Sequence, residues 1–127
     1  MKYIVALTLL LASSTAAAQC WQIENLRGYS ATASGKYKFV EDGFKGKIFS
    51  VSITAKNASL KTNGTGSDLD YIPVYPTVMI GTYAFNQRQT VETWMINGNK
   101  AFMTRVLQGP GEADATMAFV GDVTGTC

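Results

Sequence analysis

From Trp21 onward, apolar and polar residues alternate with a period of two, and glycine, asparagine or aspartate interrupts the alternation at short intervals. That period sends successive side chains to opposite faces of an extended strand. No stretch sustains apolar residues at helical spacing, so the pattern predicts an all-β chain.

Trp21 and Ile23 alternate with Gln22 and Glu24 until Leu26-Arg27-Gly28 breaks or bulges the run, which resumes over Tyr29 to Ala33 and turns at Gly35. Tyr37, Phe39 and Glu41 form the next alternating set. Asp42-Gly43 ends it, a pair suited to a tight hairpin turn because both positions tolerate positive φ. Lys47 to Ala55 is the expected partner strand, with Phe49, Val51 and Ile53 on the core face and Ser50, Ser52 and Thr54 on the other.

Lys56 to Asp70 is polar and glycine-rich and reads as the longest loop, with a short strand at Ser59 to Thr62. Tyr71 to Pro76 is extended, but Pro73 and Pro76 have no N–H to donate, which confines the segment to an edge or a loop. Thr77 to Phe85 is a further strand. Gln89 to Ile96 pairs with Ala101 to Leu107 across Asn97-Gly98-Asn99, the strongest hairpin signal in the chain. After a loop at Gln108 to Glu112, Thr116 to Thr126 forms the last strand. The expected fold is a small antiparallel meander of about eight strands, an up-and-down barrel, with a two-sheet β-sandwich as the alternative.

The N-terminus changes the picture. Lys2, the apolar run Ile4 to Ala12 and the small residues Ser13 to Ala18 have the organisation of a signal peptide, with Ala16 and Ala18 at the positions a signal peptidase reads. Those two alanines place the expected cleavage before Gln19, and the apolar run is well short of the ~20 residues that span a bilayer, which argues against a membrane anchor. Residues 1–18 are thus read as signal and residues 19–127 as a single β domain that is secreted or periplasmic.

Cys20 and Cys127 then stand at the two ends of the mature chain. In an oxidising compartment they leave one intramolecular pairing. A disulfide needs Cα atoms within ~7 Å, so the first and last strands must be neighbours.

The chain carries 11 basic and 9 acidic side chains for a formal net charge of +2. Such a balance gives no long-range attraction to nucleic acid or acidic lipid. There is no histidine, which removes the commonest general base and transition-metal ligand. With both cysteines committed to a bridge, no thiolate nucleophile remains. Asp68 with Asp70 and Glu112 with Asp114 are closely spaced acids, but each pair lies in an expected loop and reads as turn-forming. The chain is therefore expected to be no enzyme, with no cofactor and no metal.

Two groups of residues stand out as candidates. Glu92 and Arg105 lie at comparable depth in the hairpin that turns at Asn97-Gly98-Asn99. On a solvated face they would be a cross-strand pair contributing about 0.2–1 kcal/mol. Pointing into a barrel, they would be an anchor for a polar ligand. Tyr71 and Tyr75, stiffened by Pro73 and Pro76, form a candidate recognition loop of amphipathic rings presented at low entropy cost. The other reading of that loop is an edge strand whose prolines block aggregation.

The remaining aromatics, Trp21, Tyr29, Tyr37, Phe39, Phe49, Tyr83, Phe85, Trp94, Phe102 and Phe119, are expected to pack the core. The functional expectation is an exported binding module that recognises a protein partner or a small apolar ligand. Its alternative is a structural or surface-interaction component of an envelope or extracellular assembly.

Overall fold

A computed structural model describes residues 18–127 of the chain. The expected signal peptide lies outside these residues, apart from Ala18. Ten strands follow in order: β1 (Gln19–Thr32), β2 (Val40–Gly43), β3 (Phe49–Ile53), β4 (Ala58–Thr62), β5 (Thr65–Gly66), β6 (Asp70–Tyr75), β7 (Val78–Phe85), β8 (Arg88–Asn97), β9 (Lys100–Gln108) and β10 (Ala115–Thr126). They form one curled antiparallel sheet in the order β5-β4-β3-β1-β10-β9-β8-β7-β6, with β2 added beside β1.

Followed round the curl, this is the order of an up-and-down barrel, with β10 returning to β1. The ladder is interrupted between β4–β5 and β6, so the sheet is a half-barrel with a seam. Among the described residues no helix is long and apolar enough to cross a membrane.

The disulfide joins Cys20 to Cys127 with Cα atoms 5.2 Å apart. It sits where β1 and β10 meet, and the Cys127 N–H donates to the Cys20 carbonyl at 3.2 Å.

β1 organises the sheet. One of its sides pairs with β10 over nearly its whole length, with register shifts at Gln22/Ile23 and at Glu24/Arg27. Asn25, at the second shift, has φ of 56°. This bulge bends the strand, so its other side takes two partners: Gln19 to Ile23 pairs with β3, and Arg27 to Ser30 pairs with β2. Asp42-Gly43 accordingly lies within β2 and does not make the expected hairpin with β3. A dipeptide can favour a turn locally, but the ladder offered by the far half of β1 takes precedence here.

The expected long loop is also more regular than its composition suggests. Asn63 and Gly64 both have positive φ, 49° and 81°, and close a tight turn between β4 and β5. Gly98-Asn99 turns β8 into β9, with Asn97 opposite Lys100.

The core lines the concave face. Phe49, Val51 and Ile53 of β3 point inward as their alternation requires, and meet Ile23, Leu60, Met79, Trp94, Met103 and Phe119. Phe44, in the β2–β3 connection, packs edge-on against Phe49 and Phe119 with ring centroids 5.5 and 5.3 Å away. Several aromatics expected in the core are exposed instead, among them Tyr29, Tyr37, Phe39, Phe85 and Phe102. Tyr29 and Phe102 occupy outward positions of their strands, and a half-barrel's inner face is too narrow to hold every ring.

Candidate functional site

The direct partner of Glu92 in the β8–β9 ladder is Arg105. Both project toward the concave face, on the same side of β8 and β9 as the buried Trp94 and Met103. Glu92 is fully buried. An ionised carboxylate there is tolerable only if it is paired and hydrogen-bonded.

Its environment meets that demand. The Arg105 Nη2 donates to Oε1 at 3.3 Å and to Oε2 at 3.4 Å. The indole N–H of Trp94 donates to Oε1 at 2.9 Å, and the Tyr71 hydroxyl donates to Oε2 at 2.9 Å. A carboxylate offers about four lone-pair sites, and these four contacts use them. Glu92 is therefore the hub that ties β6, β8 and β9 together beneath the apolar core.

Arg105 reaches outward from the pair, with about a quarter of its side chain exposed. Its Nε is shut off from solvent and has no hydrogen-bond partner.

Tyr71 reaches Glu92 from two strands away. Gly81 of β7 stands between them, opposite Tyr71 on one side and Glu92 on the other. A Cβ on Gly81 would lie 2.4 Å from the Tyr71 ring, so the missing side chain is what lets the ring cross β7. The hydroxyl also lies 3.5 Å from Ser67 Oγ. Burial opposes the phenolate and the neighbouring Glu92 carboxylate repels it, so Tyr71 ionises well above the ordinary value of 10.0.

The stability consequence has a definite sign. The folded state holds the proton more tightly than the unfolded one, so this contribution is intact below about pH 10 and is lost as pH climbs above it. Tyr71→Phe is expected to cost about 1–2 kcal/mol at neutral pH through the lost hydrogen bond. The variant should also lose less stability than the parent between pH 10 and pH 11.5, which urea unfolding at the two pH values measures.

Only part of the expected recognition loop is displayed. Tyr71 turns inward and Pro73 is half-buried, whereas Tyr75, at 66% exposure, and Pro76 stand in solvent with Ile72 and Val74. Pro76 and Thr77 form the turn between β6 and β7. β6 is the edge strand that Pro73 requires.

Opposite β6, across the seam, runs β4. Ser67 N–H donates to the Leu60 carbonyl at 3.1 Å, but no ladder joins the two strands. Two hollows follow one another along the seam. A cleft of about 270 Å³ lies between the β3–β4 turn (Ile53, Thr54, Ala55) and Pro73 to Pro76. A second of similar size is lined by Leu60, Lys61, Ser67 and Tyr71.

The paired acids take separate places. Asp68 and Asp70 stand at the start of β6, beside Thr82 and Tyr83. Asp114 accepts from the Gly109 N–H at 3.2 Å and from the Tyr37 hydroxyl at 3.4 Å, shaping the β9–β10 loop.

Of the two readings of Glu92 and Arg105 the structure shows the inward one, and their pairing across the hairpin followed from counting out from its turn. The participation of Trp94 and Tyr71 did not, and the one available signal was Gly81 inside an otherwise apolar strand, a mark of close approach. The chain matches no protein-family model, no curated protein and no solved structure.

Proposed function

We propose that this protein is an exported, non-enzymatic binding module that holds a protein partner along the seam between β4 and β6. The observation that carries the reading is the cleft at Pro73 to Pro76. It is an apolar hollow beside an edge strand, flanked by the exposed rings and side chains of Tyr75, Val74 and Ile72. A rigid extended segment with an exposed tyrosine is a typical anchor for a partner's apolar side chain.

Recognition at an edge suits a partner segment in extended conformation, whose backbone can meet an unpaired strand while its side chains enter pockets. Pro73 supplies no donor, so the cleft must provide much of the affinity. A small apolar ligand fits less well. The concave face is already occupied by Trp94, Phe49, Met79, Met103 and Phe119, and Glu92 has no lone-pair site to spare. Export through the signal at residues 1–18 agrees with the Cys20–Cys127 bridge, which suits an oxidising compartment.

A photo-crosslinking amino acid at position 75, in protein returned to its native exported fraction, tests this reading. One dominant protein adduct from position 75, and none from Lys45 across the molecule, is expected. Tyr75→Ala should then weaken that partner's binding at least about tenfold. Equal adducts from both positions would overturn the seam as the binding site. A small molecule retained in the native mass spectrum would favour the ligand reading.

A further inference from the structure

The concave face changes character toward the end of the half-barrel that carries the β7–β8 turn and the β9–β10 loop. Its middle is filled: Met79, Trp94, Met103 and Phe119 stand opposite one another across β7 to β10 and are closed to solvent. The next inward row toward that end holds Gly81, Glu92, Arg105 and Met117. The row after it, at the mouth, holds Tyr83, Thr90, Leu107 and Ala115, and none of these four is buried. Tyr83, Thr90 and Leu107 line a hollow of about 450 Å³ with Arg88 on its rim.

Arg105 lies one row deeper than this hollow, on the same face of β9 as Leu107. Because the row on its other side is sealed, the exposed part of its side chain opens toward the mouth. A guanidinium carries N–H donors on every nitrogen, and Glu92 engages Nη2 alone. Nε has no partner, and Nη1 is left over from the pair. Donors of this kind favour an anionic oxygen, because hydrogen bonds between ionised groups are about twice as strong as neutral ones. Among the described residues of these two rows Glu92 is the one acid, and its lone pairs are filled. Asp68 and Asp70 flank the mouth on the side of the outward residues Thr82 and Val91, and Asp114 is held by Gly109 and Tyr37.

We infer that this mouth is a binding site for a small organic monocarboxylate, with the carboxylate on Arg105 and an apolar body against Leu107 and Tyr83. Glu92 already balances the charge of Arg105, so the site suits a single negative charge better than a dianion such as phosphate. The apolar walls select an organic anion, and Thr90 adds a hydroxyl beside them. Mostly apolar walls with a few placed polar groups are the usual build of a small-molecule site, and the volume falls in the range of about 300–1,000 Å³ that such sites occupy. The mouth is separate from the cleft at Pro73 to Pro76, so the seam reading stands or falls independently of it.

Hexanoate titrated into the isotope-labelled mature chain, followed by its amide and arginine Nε–H resonances, tests the inference. Saturable shifts at the Arg105 Nε–H, Thr90 and Leu107 are expected, with a Kd on the order of 1 mM. Hexanol, the same body without the charge, should bind at least about tenfold more weakly. Leu107→Trp fills the hollow and should abolish the shifts while the β-type circular dichroism and a cooperative melt are retained. Arg88→Gln, on the solvated rim, should leave the Kd within about threefold. Absence of saturable shifts would overturn the inference, as would equal affinity for hexanol or binding that survives Leu107→Trp and is lost on Arg88→Gln. Shifts confined to Ile53 to Ala55 and to Val74 and Tyr75 would overturn it too, and would place the ligand in the seam cleft.

Discussion

Replacing both Cys20 and Cys127 with serine is expected to lower the unfolding free energy by about 2–5 kcal/mol, with the β-type circular dichroism retained below the new melting temperature. The bridge spans 107 residues of sequence. On the chain-entropy model a loop of about a hundred residues loses about 4.7 kcal/mol of denatured-state freedom when closed. In the folded state the bridge fastens the ladder between Trp21 and Thr126, where both strands terminate and would otherwise fray. Urea unfolding of the oxidised protein and the double variant measures the difference. A lower midpoint with a steeper slope is the expected form, because the denatured chain without its crosslink is less compact and exposes more surface, and an unchanged midpoint would refute the clamp.

Arg105→Met is expected to destabilise by about 3 kcal/mol, near the low end for breaking a buried pair because water reaches the outer part of the arginine. The cost arises at Glu92, which is left fully buried with a charge and only Trp94 and Tyr71 to stabilise it. The identity of that cause can be checked. Adding Glu92→Gln to Arg105→Met removes the charge while keeping an oxygen for one of the two remaining donors, and should recover more than half of the loss. A double variant as unstable as the sum of the two single ones would mean that the pair is not coupled. Thermal and urea unfolding of the four proteins completes the cycle.

Much of this architecture could be read from the chain because its signals are local or follow from alternation. Phe49, Val51 and Ile53 sort inward by their two-residue period, and the β8–β9 hairpin, with Glu92 opposite Arg105, follows from counting out from one turn. The meeting of β1 and β10 followed from the position of two cysteines. Features that depend on two registers at once were not legible. Tyr71 touches Glu92 only because β6, β7 and β8 align to put Gly81 between them. β2 pairs with β1 only because Asn25 bulges that strand and frees its far half. Aromatic character alone also misled, since Tyr29 and Phe102 carry large rings on outward positions. At the candidate site, the pairing of Glu92 with Arg105 was legible, whereas the burial of that pair and the division of Tyr71 to Pro76 into an inward Tyr71 and an exposed Tyr75 were not.

The disulfide also bears on how quickly this sheet can form. The one gap in the hydrogen-bonded circuit falls in mid-chain, between β5 and β6, where three residues connect the two strands. The chain's two ends, by contrast, must find each other across almost the whole sequence to begin pairing β1 with β10. Long-range pairings of that sort dominate the time a β protein takes to fold, because loop-closure entropy is lost before any contact compensates for it. Once Cys20 and Cys127 are joined, the same pairing becomes a local event beside a covalent crosslink. The oxidised chain thus starts this ladder from joined ends, as a hairpin does, at a far smaller loop-closure cost than the reduced chain meets.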